Sequence, residues 1–203
     1  MRRLPDIEKI KGFLDPAEAG ALYELARRLA PLGPIVEIGS YCGKSAVCLG
    51  AAAQAAGGHV FTIDHHRGSE ENQPGWEYHD PELWDAAAGA LDTLPSLRRT
   101  LRMAGLEDTV IAIVGRAQAV ARVWTAPIAL LFIDGGHTME AALADYRLWA
   151  PKIMPGGSLA IHDVFPDPAD GGRPPFEIYT LALGSGLFEE RAGVKSLRVL
   201  ERV

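Results

Sequence analysis

One stretch of the chain, residues 35–46, constrains the fold more than any other part of the sequence. Its letters, IVEIGSYCGKSA, begin with a β-branched run suited to a buried strand and continue into helical composition after Gly43. An acid, Glu37, and a first glycine, Gly39, lie between the two. Such a strand–turn–helix unit presents backbone N–H groups at the start of a helix, where a polar or anionic ligand can bind.

Several kinds of turn compete for this stretch. A P-loop needs four residues between its glycines, but only Ser40 to Cys42 intervene here. A dinucleotide-binding turn needs Gly-x-Gly-x-x-Gly, and the middle glycine is missing. A third pattern, acid-x-Gly-x-x-x-Gly, fits Glu37, Gly39 and Gly43 without adjustment. An ordinary strand-to-helix turn without a ligand also remains open.

Length and composition favour a single α/β domain over residues 1–203, with a helical layer at 1–32 and an α/β core at 33–203. The net charge of -6 and the lack of a basic run argue against a nucleic-acid partner. Charges near the N-terminus and the lack of about 18 consecutive apolar residues argue against a signal peptide and a membrane span. With only Cys42 and Cys48, we expect a reduced, cytoplasmic protein.

Hydrophobic patterning predicts helices that alternate with strands. The predicted strands lie at 35–38, 59–63, 109–114, 128–133 and 158–161, and two more near 187–191 and 196–201 form a hairpin that turns at Ala192 and Gly193. The predicted helices are one short and one longer helix within 6–32, then 44–56, 81–94, 95–105, a short one after Gly115, 138–150 and 176–183. Residues 65–85 and 165–175 read as loops. The pattern predicts a mainly parallel sheet with helices on both faces and an antiparallel edge.

Polar residues stand at the predicted carboxyl ends of the strands. Glu37, Asp64, Gly115, Asp134 and Asp163 each end or follow one strand. In open α/β sheets the ligand binds beyond these ends, so we expect all five to lie on one rim. Asp64 follows Gly43 by 21 residues, where an acid can accept both ribose hydroxyls of a nucleoside cofactor.

The ordered set of motifs resembles class I S-adenosylmethionine-dependent O-methyltransferases, and among them the catechol-type, macrocin-type and other sugar O-methyltransferases. The resemblance covers about residues 33–203 and includes FIDGGH at 132–137, LWAPKIMPGG at 148–157 and IHD at 161–163. It implies a Rossmann-like sheet and S-adenosylmethionine as cofactor. The cofactor-binding residues that it implies are Glu37, Gly39, Ser40, Gly43, Ser45, Asp64, Gly115, Arg116, Ala117 and Asp134.

The adenine end of the cofactor site departs from the family pattern. Many relatives carry an acid where Arg116 stands, and the acid accepts a hydrogen bond from the adenine amino group. An arginine cannot accept that bond. The Ala117 backbone and Gln118 are the alternative contacts.

Asp134, His162 and Asp163 are the candidate metal ligands. Two carboxylates on one rim form an oxygen site suited to Mg²⁺ or Mn²⁺. Metal-dependent relatives end the fifth strand with an acid followed by Asn or Asp, whereas this chain has His162 and then Asp163. Because imidazole is a less usual ligand of Mg²⁺, the alternatives are a softer metal, a water molecule that ligates in place of His162, or no metal. A purely structural alternative is that Asp163 caps the loop that follows it.

His137 is the candidate general base and Asp134 its catalytic partner. The resemblance implies this role, because catechol-type enzymes have a proton-accepting lysine three residues after the acid, and some relatives have a histidine. An imidazole with a pKa of about 6.5 suits a base at neutral pH. A lone histidine is often structural, so that alternative stays open.

The 65–85 loop interleaves polar and aromatic residues. His65, Arg67, Trp76 and Tyr78 are the candidate substrate contacts, since sugars stack on rings and bond to polar side chains. Aromatics that merely anchor the loop are the alternative. We expect a metal-assisted O-methyltransferase that forms a homodimer and methylates a hydroxyl of a carbohydrate or similar polyol. A phenolic or macrolide-sugar acceptor, an NAD-type oxidoreductase and a non-catalytic cofactor-binding module remain alternatives.

Overall fold

The computed structural model describes residues 6–76, 78–136, 138–167 and 173–203. Its α-helices are α1 (Pro16–Leu29), α2 (Lys44–Ala56), α3 (Leu94–Ala104), α4 (Ala117–Ala121), α5 (Met139–Trp149) and α6 (Pro174–Gly184). Its strands are β1 (Ile35–Ile38), β2 (Val60–Asp64), β3 (Trp84–Asp85), β4 (Ala90–Leu91), β5 (Val110–Val114), β6 (Ile128–Ile133), β7 (Ile153–Ile161), β8 (Phe188–Val194) and β9 (Leu197–Arg202). Short 3₁₀ turns lie at Glu70–Asn72, Pro81–Leu83 and Ala150–Lys152.

Seven of the strands form one sheet in the order β5-β2-β1-β6-β7-β9-β8. The first five in this order run parallel, and β9 and β8 add an antiparallel edge. All six residues of β6, IALLFI, are buried, which is typical of a parallel strand covered on both faces. The predicted Rossmann-like fold class, with its C-terminal hairpin, is confirmed.

Each face of the sheet has its own hydrophobic core. On one face, Leu22 of α1, Leu49 of α2 and Leu97 of α3 pack in one buried cluster with the sheet. On the other face, Trp149 of α5 and Ile178 of α6 belong to a second cluster. The helices therefore cover both faces, as predicted, and leave the strand ends open. No described helix is both long enough and apolar enough to cross a bilayer.

Two predicted helices are wrong. Within 6–15 the chain forms only turns and bends before α1 begins, and Gly12 adopts a φ of 146° that a helix does not allow. In place of a helix at 81–94, one 3₁₀ turn leads into the small hairpin of β3 and β4. The Asp85 carboxylate accepts from the N–H groups of Ala87 and Ala88, which bends the chain into a turn instead of a helix.

The C-terminal hairpin turns later than predicted. Ala192 and Gly193 lie inside β8, where they pair with Val199 and Arg198. The reversal occurs at Lys195, which has a φ of 50°. The fifth predicted strand also starts earlier than predicted, because β7 begins at Ile153 and includes the Pro-Gly-Gly segment that sequence patterning reads as a break.

Substitution of Gly39 tests how tightly the turn after β1 packs against the backbone at the end of β6. An added Cβ would lie 2.0 Å from the Asp134 carbonyl oxygen, a backbone atom, and the φ of 88° already disfavours a side chain. Gly57 is the matched control, since its φ of 75° is similar but its Cβ would meet nothing within 4 Å. We expect Gly57→Ala to cost about 1–2 kcal/mol of unfolding free energy, from backbone strain alone. Gly39→Ala should lower the unfolding free energy, measured with denaturant, clearly more than Gly57→Ala does. An equal loss in the two variants would contradict the close contact between Gly39 and the Asp134 carbonyl.

Candidate functional site

A cavity of about 1120 Å³ opens beyond the carboxyl ends of the parallel strands. The residues on its wall come from the turn after β1, the ends of β2, β5 and β6, and the loops after β2 and β7. Sequence-predicted residues that line it are Gly39, Ser40, Ser45, Asp64, His65, Arg67, Tyr78, Gly115, Arg116, Ala117, Asp134 and Asp163. Of the five residues expected on one rim, Asp64, Gly115, Asp134 and Asp163 line the cavity, and Glu37 does not.

The Gly39 turn forms the floor of the cavity. Gly39 passes so close to Asp134 and Gly135 that only hydrogen fits at its Cα. The next residue, Ser40, is buried, and its hydroxyl has no hydrogen-bond partner among the residues that the structure describes. An unpaired buried hydroxyl beside a cavity is a natural contact for a polar ligand.

Asp64 holds this turn in place. Its Oδ2 accepts from the backbone N–H groups of Ser40 and Tyr41, at 3.0 and 2.9 Å, and its Oδ1 accepts from that of His66 at 2.7 Å. The N–H groups of Ser40 and Tyr41, predicted as open to an anion, are therefore already occupied. A carboxylate has about four lone-pair positions, so Asp64 can still accept from ribose hydroxyls.

Glu37 and Gly43 stand apart from the cavity wall. Glu37 is fully buried on the same side of β1 as Ile35, under α2. Burial raises its pKa to about 8, against the opposing hydrogen bonds from the hydroxyls of Ser45 and Thr62. Gly43 precedes α2 with a φ of 92°, and a Cβ there would meet Leu97 and Thr100 of α3. Strand alternation explains why the Glu37 side chain lies under α2, because neighbouring side chains of a strand point to opposite faces of the sheet.

The far end of the cavity contains an interaction that sequence reasoning missed. The Gln118 amide donates to Asp145 Oδ1 at 2.7 Å, and Asp145 is buried in α5. Burial raises the pKa of Asp145 to about 7, against the hydrogen bond from Gln118. The signal was available, since Ala142, Asp145 and Trp149 recur at helical spacing and share the buried face.

Asp134, His162 and Asp163 form a cluster at the ends of β6 and β7. His162 Nδ1 lies 3.1 Å from Asp134 Oδ1 and 3.3 Å from Asp163 Oδ2. One donor atom from each residue lies within 4.8 Å of the others, a spacing that can hold a metal ion. Asp163 adopts a φ of 57°, and such backbone strain in a non-glycine residue concentrates at functional sites.

A buried glutamate from the N-terminal helix completes this cluster. Glu18 Oε2 lies 3.0 Å from His162 Nε2, and both residues are almost wholly buried. Burial alone would raise the pKa of Glu18, but hydrogen bonds from His162 and Ser196 outweigh it and lower the pKa to about 2. For His162 burial acts in the opposite direction and would lower the pKa, but the neighbouring carboxylates raise the pKa well above its usual value. Glu18 shares the apolar stripe of Leu22, Leu25 and Leu29, which was the signal in the sequence.

The mouth of the cavity carries aromatic rings from separate segments. The Phe13 ring packs at a tilt against Tyr41 and edge-on against Tyr78, with ring centroids 5.9 and 5.3 Å apart. Lys11 joins this segment to the loop after β2 by ion pairs with Asp80 and Glu82. Residues 11–14, which were predicted to be part of a helical layer, therefore line the cavity instead.

The remaining candidate residues divide into two cases. Trp76 has 59% of its surface exposed and does not line the cavity, so the structure does not bring it to the other substrate candidates. His137 lies outside the described residues. Its neighbours Gly136 and Thr138 both line the cavity, and the role of His137 as a base stays a prediction.

Comparison with known proteins identifies the fold and the family. A family model described as a methyltransferase domain matches residues 36–164. The O-methyltransferase NovP has a TM-score of 0.70 and 16% identity, over 92% of this chain and 80% of that one. An O-methyltransferase from Bacillus cereus, in complex with S-adenosylhomocysteine (SAH), has a TM-score of 0.62 and 18% identity, over 98% and 84%. The SAH-bound methyltransferase PaMTH1 of Podospora anserina has a TM-score of 0.66 and 12% identity, over 94% and 80%.

These structural likenesses establish that the chain shares its fold with O-methyltransferases. The family model adds the assignment, because the matched segment contains the Gly39 turn, Asp64, Asp134 and Asp163. Since this segment spans well over half of the 203 residues, the chain belongs to the methyltransferase domain family.

Proposed function

We propose that this protein is an S-adenosylmethionine-dependent O-methyltransferase that acts on a small-molecule or saccharide acceptor. One observation carries the proposal: a single cavity joins the Gly39–Asp64 turn to the Asp134–Asp163 cluster on one rim of the sheet. The first feature suits a nucleoside cofactor, and the second suits a hydroxyl that must lose its proton. Family membership supports methyl transfer between them.

The cofactor would lie along the strand ends. Asp64 would accept from the ribose hydroxyls, and the Ser40 hydroxyl would bond to the amino-acid end above Gly39. The adenine would lie near Arg116 to Gln118. Because the Gln118 NH₂ group already donates to Asp145, its carbonyl oxygen is the part of that amide left to accept from the adenine amino group.

A divalent metal fits Asp134, His162 and Asp163, whose donor atoms converge. When bound, such an ion lowers the pKa of a coordinated hydroxyl. These side chains would hold and orient the acceptor oxygen, and His137 would take its proton. The oxygen would then attack the methyl carbon, the S–CH₃ bond would break with its electron pair going to sulfur, and the proton would end on the imidazole of His137. Positioning and charge stabilisation supply most of the rate.

A carbohydrate hydroxyl is the acceptor that the cavity mouth supports best. The rings of Phe13, Tyr41 and Tyr78 offer an apolar surface, while His65 and Arg67 offer polar groups beside it. A methylmannose polysaccharide is one acceptor of this class, and phenolic or macrolide-sugar acceptors are the alternatives. We further propose a single-domain, cytoplasmic homodimer; the buried free thiols of Cys42 and Cys48 support a reducing compartment.

The role of Glu37 can be separated from cofactor binding by its pH dependence. With its pKa raised to about 8, Glu37 holds a proton in the folded protein that the unfolded chain loses near pH 4.3. Its contribution to stability is therefore full below about pH 4.3 and is lost as the pH rises towards 8. The neutral variant Glu37→Gln lacks this dependence, so its unfolding free energy relative to wild type should rise between pH 5 and pH 8.

Denaturant unfolding of both proteins at several pH values checks this prediction. Asp145 also titrates in this range but is present in both proteins, so its effect cancels in the difference. We expect SAH affinity to stay within a few-fold of wild type, because Glu37 does not line the cavity. A pH-independent difference, or a large loss of SAH affinity, would contradict the structural role.

The proposed transfer is tested by a screen of sugar and phenolic acceptors with methyl-labelled S-adenosylmethionine. With an active acceptor, His137→Ala should lower kcat by about 10²–10⁴ and leave SAH affinity nearly unchanged, since a base acts only in the transition state. The exposed His59 provides the control, and His59→Ala should retain full activity. A His137→Ala variant with normal kcat and an unchanged pH profile would show that another group takes the proton.

A further inference from the structure

Glu18 is a buried carboxylate whose oxygens have separate tasks. Oε1 accepts from the Ser196 N–H at 2.9 Å, from the Ser196 hydroxyl at 2.7 Å and from the Leu197 N–H at 3.1 Å. Oε2 accepts from the Asp15 N–H at 3.3 Å and faces His162 Nε2 at 3.0 Å. The first three bonds tie α1 to the start of β9. They fix the carboxylate, so the position of Oε2 against His162 is determined by the fold.

This contact determines which nitrogen of His162 faces the cavity cluster. A carboxylate oxygen can only accept, so the hydrogen between the two residues belongs to Nε2. The opposite ring nitrogen, Nδ1, points at Asp134 and Asp163, at 3.1 and 3.3 Å. Without a metal, Nδ1 also carries a hydrogen for these carboxylates, and a bound ion would take the place of that hydrogen while Nε2–H stays on Glu18. His162 is only 4% exposed, and its ring lies edge-on to Phe132 with ring centroids 6.3 Å apart, which leaves it little freedom to rotate.

The same arrangement is common behind bound metals. A histidine that ligates a metal usually donates its other N–H to a carboxylate, which fixes the tautomer and makes the ligating nitrogen more basic. Two carboxylates with one imidazole also form a different donor set from the all-oxygen sets that Mg²⁺ prefers. Imidazole suits first-row transition-metal ions such as Zn²⁺ better, and the affinity of a nitrogen-containing site rises from Mn²⁺ to Co²⁺ along that series.

We propose that Glu18 is a positioning residue that holds His162 with Nδ1 aimed between Asp134 and Asp163, and that the cluster therefore binds a first-row transition-metal ion in preference to Mg²⁺. This inference rests on the proposed function, since it specifies the metal of the same site. It concerns binding and ligand orientation, and both can be measured without turnover.

The test measures metal binding to the full chain after treatment with a chelator. Mn²⁺ affinity is followed by the loss of the free-ion electron paramagnetic resonance signal, Co²⁺ by its visible absorption, and Mg²⁺ by competition with Mn²⁺. We expect Mn²⁺ and Co²⁺ to bind at least tenfold more tightly than Mg²⁺. Nitrogen coordination should appear as hyperfine coupling to the imidazole in pulsed spectra of the Mn²⁺ form.

Glu18→Gln is the informative variant. Its amide oxygen can still accept from Ser196 and Leu197, while its NH₂ group then faces Nε2 and favours the tautomer with hydrogen on Nδ1. We expect Mn²⁺ affinity to fall by about 10–100-fold, the usual cost of losing such a partner. Glu24→Gln is the matched control, because Glu24 lies on the same helix but is exposed and pairs only with Arg27 in the part of the chain described. It should bind Mn²⁺ like wild type.

Calorimetry with SAH on each protein separates the possible failures. Normal SAH binding without any metal binding, or with equal affinity for Mg²⁺ and Mn²⁺, would overturn the inference and leave the proposed methyl transfer standing. Loss of SAH binding in the wild type would instead overturn the proposed function. If Glu18→Gln unfolds, the wild-type preference for Mn²⁺ over Mg²⁺ and the imidazole coupling still decide the matter.

Discussion

The candidate site depends on one close crossing, where the turn after β1 passes over the end of β6. Only a hydrogen atom fits between the Cα of Gly39 and the Asp134 carbonyl. The Asp64 carboxylate holds the same turn through two backbone N–H groups and a third from His66. Since bonds to a charged acceptor are stronger than neutral ones, the floor of the cavity is rigid before any ligand binds.

From this crossing the wall of the cavity extends in two directions along the sheet edge. Towards β2 and β5 the wall includes Asp64, Ala117 and Gln118, the residues proposed to contact the nucleoside. Towards β7 it offers the donor atoms of the Asp134 cluster, which Glu18 supports from behind. The backbone is strained at this rim, because Tyr41, His66 and Asp163 all have positive φ values. Surrounding hydrogen bonds have to maintain such conformations.

Much of this arrangement could be predicted from the sequence. Strand ends meet on one edge of a parallel sheet, so placing Asp64, Asp134 and Asp163 there needed only the order of elements. The position of Glu37 was harder to predict, because the face of the sheet to which its side chain points follows from strand alternation and not from its place in the motif. By residue type, Glu18 and Asp145 would be expected to face solvent. Only their helical spacing from buried apolar residues indicates that they lie on the buried face of a helix. The helix predicted at 81–94 failed because a local Asx turn at Asp85 overrides average helix propensity.

The proposed ligand of the Gly39–Asp64 turn is a sulfonium nucleoside and not a dinucleotide. Titration calorimetry of the purified wild-type chain, first with SAH and then with NAD, tests it most directly. We expect saturable binding of SAH at one site per chain and no measurable binding of NAD. Binding of NAD with none of SAH would contradict it and would favour an oxidoreductase on the same sheet.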